Sequence, residues 1–296
     1  MNTGFMRYHP LTQFIFFLSV LLVTMLIMHP VFLAISLAAG SAYILYSGGV
    51  RAFLKNLIMT AVISLTIMII NSLVSHEGIT IITYLPDGNA LTLESVIFGF
   101  AAAFLMSGIL SWFYSINKVL TSDRIIYLFG RFSPRLALLI SMTLNFISKF
   151  KNQLKSVRAA QYSVGRDMKN GKPITRIKNG IRIFSAMIQW SLENSVDTAD
   201  SMKSRGYGLK KRTCFTIFRM TSKDIVMLAI TLFSDICVII AFMTKILDYS
   251  YYPYFEISEI STANIAVYAV FALSCLMPLI IDISEDRKWK YIQSKI

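Results

Sequence analysis

Long apolar runs divided by short polar segments are the dominant pattern of the chain. A helix needs about 20 apolar residues to cross the hydrocarbon of a bilayer. Six runs predict transmembrane helices, at Leu11–Met28, Val31–Tyr46, Phe53–Leu73, Leu93–Ile116, Ile225–Met243 and Ile260–Ile281. Only His29-Pro30 separates the first two runs, and proline fits the first turn of a helix. We therefore expect either a tight hairpin or an irregular pair at this point.

The segment between the fourth and fifth runs has a different pattern. Ser133-Pro134 is typical of an N-cap followed by a proline in the first turn, and nothing breaks a helix over Arg135–Ser163. After a turn at 169–173, a second helix is predicted over Ile174–Ser204, because its apolar residues recur at steps of three and four. These residues are Ile174, Ile177, Ile181, Phe184, Ile188, Leu192, Val196, Ala199 and Met202.

The composition favours a membrane protein over a soluble one. Only 15% of the residues are charged, against about 25% in soluble domains, and 55% are hydrophobic. The net charge is +13, and 21 of the 29 Lys and Arg residues lie between Lys118 and Lys223. Because Lys and Arg collect on the cytoplasmic side of membrane proteins, we expect the segment 117–222 to be cytoplasmic.

The other loops alternate in charge, as this orientation requires. The 47–52 loop and the C-terminal tail carry cations, whereas the 74–92 and 244–259 loops carry more acidic than basic residues. In the last two loops the charged residues are Glu77, Asp87, Lys245, Asp248, Glu256 and Glu259. The pattern predicts a multi-pass protein of the plasma membrane with both termini in the cytoplasm.

Together these patterns predict an all-α polytopic membrane protein with about six transmembrane helices and two long cytoplasmic helices. The chain is predicted to divide into three parts. Residues 1–116 hold the first four spans, 117–222 the cytoplasmic helices, and 223–296 the last two spans and a tail.

Other functional classes have less support in the sequence. The basic residues are interleaved with apolar stripes, which favours contact with anionic lipid over binding of nucleic acid. The scattered cysteines and histidines form no recognisable ligand motif, so neither a metal nor another cofactor is predicted. Asp235 and Asp282 lie in or near the last two spans. Because acidic residues within a membrane are candidates for a functional site, an intramembrane enzyme is one alternative. A membrane scaffold with a basic, lipid-facing cytoplasmic domain is the other alternative.

The second long helix ends in the sequence SMKSRGYG at 201–208. A helix C-terminus leaves backbone carbonyl groups without partners. Arg205 is therefore open to two interpretations. It either satisfies the carbonyl groups of its own helix, or it projects outward and binds a carboxylate or carbonyl groups of another protein. The first long helix has a comparable glycine-containing end, SVGRD at 163–167.

These two ends resemble those of the transmembrane T component of energy-coupling-factor vitamin transporters, the family that includes the cobalt-transporter permease. That family has two long coupling helices that end near Ala-Gln-x-x-Arg-Gly and x-Met-x-x-Arg-Gly-Tyr. The second pattern is matched by SMKSRGY at 201–207 and the first by AQYSVGRD at 160–167. The sequence RYHPLTQF at 7–14 is similar to the family's opening motif.

The resemblance implies a subunit without catalytic activity that works in an ATP-driven importer. It implies that the coupling helices bind two cytosolic ABC ATPase subunits, and that a small membrane S component captures the vitamin or metal. The ATPase-coupling residues implied by the two motifs are Ser204, Arg205 and Gly206 in one and Val164, Gly165 and Arg166 in the other.

The first motif departs from the family at Val164, where arginine is usual. We expect Arg166 to replace that arginine from a shifted position. Two residues along a helix turn a side chain by about 200°, so the replacement requires Gly165 to end the helix and redirect the chain. Glycine does this by adopting a positive φ.

Three acidic residues of the second long helix, Glu193, Asp197 and Asp200, share one face. One interpretation pairs them with basic residues of the first helix, such as Arg158, which would fix how the two helices cross. The alternative is a solvated acidic face. The apolar stripes have two interpretations as well, because they either hold the S component or pack against each other.

Overall fold

The computed structural model describes residues 4–75, 77–84, 90–166, 172–209, 218–244, 246–257 and 261–295. Within these ranges the chain forms eight α-helices, one 3-10 helix and two small antiparallel β-hairpins. The predicted all-α polytopic fold is confirmed. Some residues used in the predictions lie outside the described ranges, namely Asp87, Asp167, Lys245, Glu259 and residues 169–171 of the predicted turn.

The elements follow the chain in a simple order. The 3-10 helix Gly4–Arg7 precedes α1 (Pro10–Leu26), α2 (Pro30–Val74), β1 (Ile81–Tyr84), β2 (Ala90–Thr92), α3 (Leu93–Val119), α4 (Ser122–Phe132), α5 (Pro134–Ser163), α6 (Pro173–Ser204), α7 (Ser222–Met243), β3 (Tyr249–Ser250), β4 (Glu256–Ile257) and α8 (Thr262–Gln293). Strand β1 pairs with β2 and β3 with β4, so each hairpin lies within a loop that the charge pattern predicts to be on the outer side.

Four described helices are long and apolar enough to cross a membrane, namely α2, α3, α7 and α8. The apolar helix α1 is shorter, with 17 residues. The six predicted spans therefore correspond to five helices, because the second and third spans are both parts of the 45-residue helix α2.

Helix α2 contains one residue with non-helical geometry, Gly49, with φ of 77° and ψ of 174°. The positive φ favours glycine, because it has no Cβ atom. The interruption leaves helical stretches at 30–48 and 50–74, each long enough to span a bilayer by itself. A single glycine thus divides the helix where the apolar pattern predicts a loop between two spans.

The two His-Pro pairs of the chain begin helices in the same way. His9 is the N-cap of α1 and His29 is the N-cap of α2, and a proline follows each in the first turn. In each case the Nδ1 atom accepts a hydrogen bond from the backbone N–H two residues later, at 3.2 Å and 3.3 Å respectively. The break between the first two predicted spans is therefore a capped helix start.

The helices are distributed over two compact units. The first comprises Met1–Ile125 and Phe218–Ile296, and the second comprises Ile126–Ile217. The core of the first unit is aromatic, with Phe5, Phe16, Phe17 and Trp112 at most 2% exposed. The ring centroids of Phe16 and Trp112 lie 5.9 Å apart, edge to face, and the indole N–H of Trp112 donates to the Ser36 hydroxyl at 3.0 Å.

The N-terminal residues of the first unit are held by buried polar side chains. The Asp282 carboxylate accepts from the Phe5 N–H at 2.6 Å, and the Asp224 carboxylate accepts from the His9 N–H at 2.7 Å. The guanidinium of Arg124 donates to the Gln13 side chain and to the Met6 carbonyl. Asp282 is one of the two acidic residues on which the enzyme alternative rests, and its carboxylate holds the backbone of Phe5 in place.

Candidate functional site

The candidate site consists of the C-terminal ends of α5 and α6 and the contact between these helices, all within the second unit. Helix α5 begins at Pro134 with Ser133 at the N-cap position, and α6 begins at Pro173. Both helices were predicted to within one residue at each end. Because each helix is at least 30 residues long, each extends over about 45 Å or more.

Helix α6 ends in a Schellman motif. Arg205 is the C-cap, and Gly206 follows with φ of 82°. The Gly206 N–H donates to the Lys203 carbonyl and the Tyr207 N–H donates to the Met202 carbonyl, both at 2.9 Å. These two bonds satisfy carbonyl groups at the helix end without the help of a side chain.

Helix α5 ends with the same motif. Val164 is the C-cap, and Gly165 follows with φ of 75°. The Gly165 N–H donates to the Tyr162 carbonyl and the Arg166 N–H donates to the Gln161 carbonyl, again both at 2.9 Å. The positive φ expected at Gly165 is present, so the helix ends there and the chain changes direction.

The shared backbone geometry fixes which residues of the two ends correspond. Val164 occupies the position of Arg205, and Arg166 occupies the position of Tyr207. All four residues are exposed, with 64% exposure for Val164 and 42% for Tyr207. The departure from the family pattern is therefore a movement of the arginine from the C-cap to the second residue after it.

Within the described residues, neither arginine side chain completes its own helix. In the described ranges, no hydrogen bond or ion pair is formed by the side chains of Arg166 and Arg205. The neighbouring Ser204 makes a local contact instead, from its hydroxyl to the Ser201 carbonyl at 2.9 Å. Because the glycine motifs already satisfy carbonyl groups, both guanidinium groups remain available for contact with another molecule.

Three aromatic side chains join α5 to α6 near the middle of each helix. Trp190 stacks on Phe146 with a centroid distance of 5.7 Å and an interplanar angle of 21°, and it lies 6.5 Å from Phe150. The C-cap Val164 lies 14 residues after Phe150, and the C-cap Arg205 lies 15 residues after Trp190. Val164 also lies 18 residues after Phe146, so the end of α5 is about 21 to 27 Å along its helix from the contact and the end of α6 about 22 Å.

An open groove of about 560 Å³ lies beside this contact. Its lining combines apolar, hydroxyl and amide side chains, from Met142, Thr143, Asn145, Phe146, Lys149, Ser191, Asn194, Ser195, Thr198, Ala199 and Met202. The groove offers hydrogen-bonding groups as well as apolar surface at the middle of the helix pair. The sequence analysis missed it together with the aromatic contact, although Trp190 is the only tryptophan of the segment 117–222.

The predicted apolar stripe of α6 is exposed over most of its length. The exposed fractions are 81% for Ile174, 64% for Phe184 and 60% for Val196. The buried residues of α6 are Asn179, Ile183 and Met187, on the other side of the helix. Within the described ranges, the part of the stripe from Ile174 to Val196 is therefore exposed and does not pack against α5, so it is available for contact with another molecule.

The predicted pairing of the acidic residues with basic residues of the first long helix stays a prediction. The Asp200 carboxylate lies 3.7 Å from the amino group of Lys203, which is one turn later in the same helix. Both side chains are largely exposed, so this pair contributes little to stability. Glu193 and Asp197 are exposed on the same helix, and Arg158 is exposed on α5.

The remaining acid considered for an enzyme, Asp235, lies at a contact between two apolar helices. Its carboxylate accepts a hydrogen bond at 2.6 Å from the hydroxyl of Ser19 in α1. Like Asp282, Asp235 therefore forms a hydrogen bond that joins two parts of the first unit.

No family model matches the chain. Two curated proteins are similar to part of it, and both are named energy-coupling factor transporter transmembrane protein EcfT. The protein from Lactobacillus helveticus is 33% identical over 95 residues, which are 32% of this chain and 34% of the relative. The protein from Listeria innocua is 30% identical over 110 residues, which are 37% of this chain and 40% of the relative.

The matched residues thus span between a third and two fifths of the length of these relatives. The similarity agrees with the apolar helices of the first unit. It confirms the resemblance predicted from the sequence: this is a multi-pass membrane protein, similar over about a third of its length to the transmembrane protein of energy-coupling factor transporters.

Proposed function

We propose that the chain is the transmembrane coupling subunit of an ATP-driven importer of the energy-coupling-factor type, which takes up vitamins or other micronutrients. The subunit has no catalytic activity of its own. Two cytosolic ABC ATPases supply the energy, and a membrane S component binds the cargo. The proposal is supported by the similarity to the two named relatives and by the geometry of α5 and α6.

The observation that carries the proposal is the matching pair of helix ends. Both have the same hydrogen-bonded glycine motif, and both lie more than about 20 Å along their helices from the aromatic contact at Trp190. Two ends of the same geometry suit two related partners that act together. We infer that each ATPase subunit binds one end, so that movement of the ATPases changes the angle between the helices.

Arg205 and Arg166 are the proposed contact residues. A guanidinium group binds carboxylate or carbonyl oxygens through two parallel hydrogen bonds and keeps its charge at any physiological pH. At the α5 end, Arg166 takes this role from its position after Gly165, and Val164 provides apolar contact where α6 has Arg205. The two ATPase subunits therefore require different binding sites. One site fits Arg205 at the C-cap position, and the other fits Val164 at that position with Arg166 two residues later.

The exposed apolar surfaces of α5 and α6 are the proposed sites for the S component. On α5 these surfaces include Leu136 and Leu139, which are 48% and 58% exposed, and on α6 they include Leu192 and Val196. The groove beside Trp190 adds hydroxyl and amide groups to the same region. A partner that docks there would respond directly to a change in the crossing of the helices.

The membrane orientation is part of the proposal. We infer that the protein resides in the plasma membrane with both termini and residues 117–222 in the cytoplasm, where the ATPases are. The distribution of Lys and Arg supports this, because all the basic segments then share one side.

Affinity purification of the tagged chain from its native membranes tests the proposal. We expect two ABC ATPase subunits and at least one small membrane protein to co-purify with the chain. The matched variant carries Arg166→Ala and Arg205→Ala, and it should lose the ATPases while it retains the small membrane protein. Absence of ATPases from the unmodified sample, or full retention by the double variant, contradicts the proposal.

A further inference from the structure

The basic residues of α6 are confined to its first half. Residues 172–190 carry four cations and no acidic residue, whereas 191–209 carry three acidic residues and two cations. The four cations are Lys172, Arg176, Lys178 and Arg182, and all of them are exposed. The part of α5 that leads into α6, residues 149–158, adds four more exposed cations and no acidic residue.

The same half of α6 exposes large apolar side chains next to its cations. Ile174, Ile177 and Ile181 are 81%, 64% and 59% exposed. Lys178 and Arg182 each directly follow one of these isoleucines, so both are turned by about 100° in the same direction and lie along one edge of the apolar stripe. This half of α6 thus has aliphatic residues bordered by cationic groups over about 15 Å of helix.

We propose that the first half of α6 rests on the surface of an anionic bilayer. The isoleucines insert among the lipid headgroups, and Lys178, Arg182 and their neighbours contact the phosphate groups. Helices that lie in the membrane interface have this combination of apolar residues and flanking Lys or Arg. The cytoplasmic leaflet supplies the anionic lipids that attract basic segments near the membrane.

The second half of α6 continues the apolar stripe in a different electrostatic setting. Val196 is 60% exposed, close to the value for Ile177, but Glu193, Asp197 and Asp200 surround it. An anionic surface repels these carboxylates, so lipid contact is limited to the first half. The second half of the stripe is left for a protein partner.

The proposal needs only a chain that is inserted in a bilayer. It requires neither the ATPases nor the S component, so it can be tested on the isolated protein. Its failure would leave the proposed transport function unaffected, and failure of the transport function would leave the lipid contact unaffected.

The test measures the depth of two positions of the stripe in vesicles. An environment-sensitive fluorophore is attached to Ile177→Cys or to the matched control Val196→Cys, in full-length protein with Cys214→Ser and Cys237→Ser. Cys275 is retained because it is only 1% exposed. The protein is reconstituted in phosphatidylcholine with about 30% phosphatidylglycerol, an anionic lipid, or in phosphatidylcholine alone, and a nitroxide on the lipid acyl chain quenches the fluorophore.

We expect at least twofold stronger quenching at position 177 than at 196 in the anionic vesicles, and a smaller difference without phosphatidylglycerol. The double variant Lys178→Gln and Arg182→Gln should lose most of the phosphatidylglycerol dependence, whereas the control Lys203→Gln should keep it. Equal quenching at both positions, or quenching at 177 that does not depend on phosphatidylglycerol, overturns the proposal. Loss of quenching at 177 in the complete complex also overturns it, because a protein partner then covers this surface.

Discussion

In the unit formed by Met1–Ile125 and Phe218–Ile296, large side chains such as Phe16, Tyr43 and Trp112 are at most 1% exposed. In the unit Ile126–Ile217, helix α5 has no buried residue along its entire described length, and α6 has three. Both units expose many apolar side chains, but the first unit also encloses a large aromatic core. Among the described residues of the second unit, the buried apolar side chains are Leu128, Ile183 and Met187.

This difference separates two uses of the same kind of residue. Buried aromatic groups stabilise the first unit mainly through close packing, because lipid tails are as apolar as the side chains and the hydrophobic effect contributes little between transmembrane helices. Exposed apolar stripes on long helices contribute little to the stability of the isolated chain and are typical of surfaces that bind other molecules. We therefore expect substitutions in the first unit to change stability, and substitutions in the second unit to change binding.

The largest effect is expected in the core of the first unit. Trp112→Ala removes a side chain with no exposed surface and its hydrogen bond to Ser36, so the free energy of unfolding should fall by about 3 to 5 kcal/mol. The neighbouring substitution Phe113→Ala is the control, because Phe113 is 49% exposed. Thermal unfolding in detergent measures both. A similar loss of Tm in the two variants would contradict the comparison between buried and exposed residues.

At the end of α6, Arg205→Ala should weaken association with the ATPases about tenfold, because it removes a charge-assisted contact, while the Tm stays unchanged. Val164→Ala alters the corresponding position of α5 and should weaken the association less, because it removes only a small apolar contact. Quantitative co-purification of the ATPase pair with each variant measures the difference. Equal retention of the ATPases by both variants would argue against Arg205 as a contact residue.

A smaller, graded effect is expected at Arg166. Arg166→Ala should reduce transport a few-fold through loss of a charge-assisted hydrogen bond, and Arg166→Glu should reduce it further because its charge repels an acidic binding site. ATP-driven uptake in reconstituted vesicles measures both variants. If they transport equally well or equally poorly, the sign of the charge at this position does not matter and the side chain has no acidic partner.

The smallest effect is expected at the His29 N-cap, and it depends on pH. Burial lowers the pKa of the His29 imidazole, and the Nδ1 atom accepts the Val31 N–H, so the folded protein holds the neutral form. Because the unfolded chain binds a proton more readily, the free energy of unfolding should be highest above the ordinary pKa of histidine, about 6.5, and decrease as the pH falls below it. His29→Asn keeps a capping side chain and should make the Tm difference between about pH 8 and pH 5 smaller. An unchanged difference would assign the pH dependence to other groups.

The sequence predicts the helices of this fold well because their signals are local. Proline at a helix start and glycine after a helix end define α5 and α6 to within one residue. The merging of two spans into α2 was not predicted. Polar residues at 47–52 are compatible with a loop, and only the conformation of Gly49 shows that one residue is enough to divide the helix.

The candidate site was predicted less completely. The motifs identify both helix ends, because glycine favours the positive φ that ends a helix and arginine supplies a permanent positive charge there. The contact of Trp190 with Phe146 and Phe150 depends on how two helices cross, and the periodicity of one helix carries no information about this. The same applies to Asp224 and Arg124, whose backbone partners are distant in the sequence.

The similar distances from the aromatic contact to the two helix ends have a mechanical consequence for the proposed coupling function. If the helices rotate about this contact by about 10°, the end of α5 moves by about 4 to 5 Å and the end of α6 by about 4 Å, because these segments are about 21 to 27 Å and about 22 Å long. The two ends therefore move by similar amounts. Under the proposed function, a difference between the actions of the two ATPases on the helices would then come mainly from the chemistry of the two end residues.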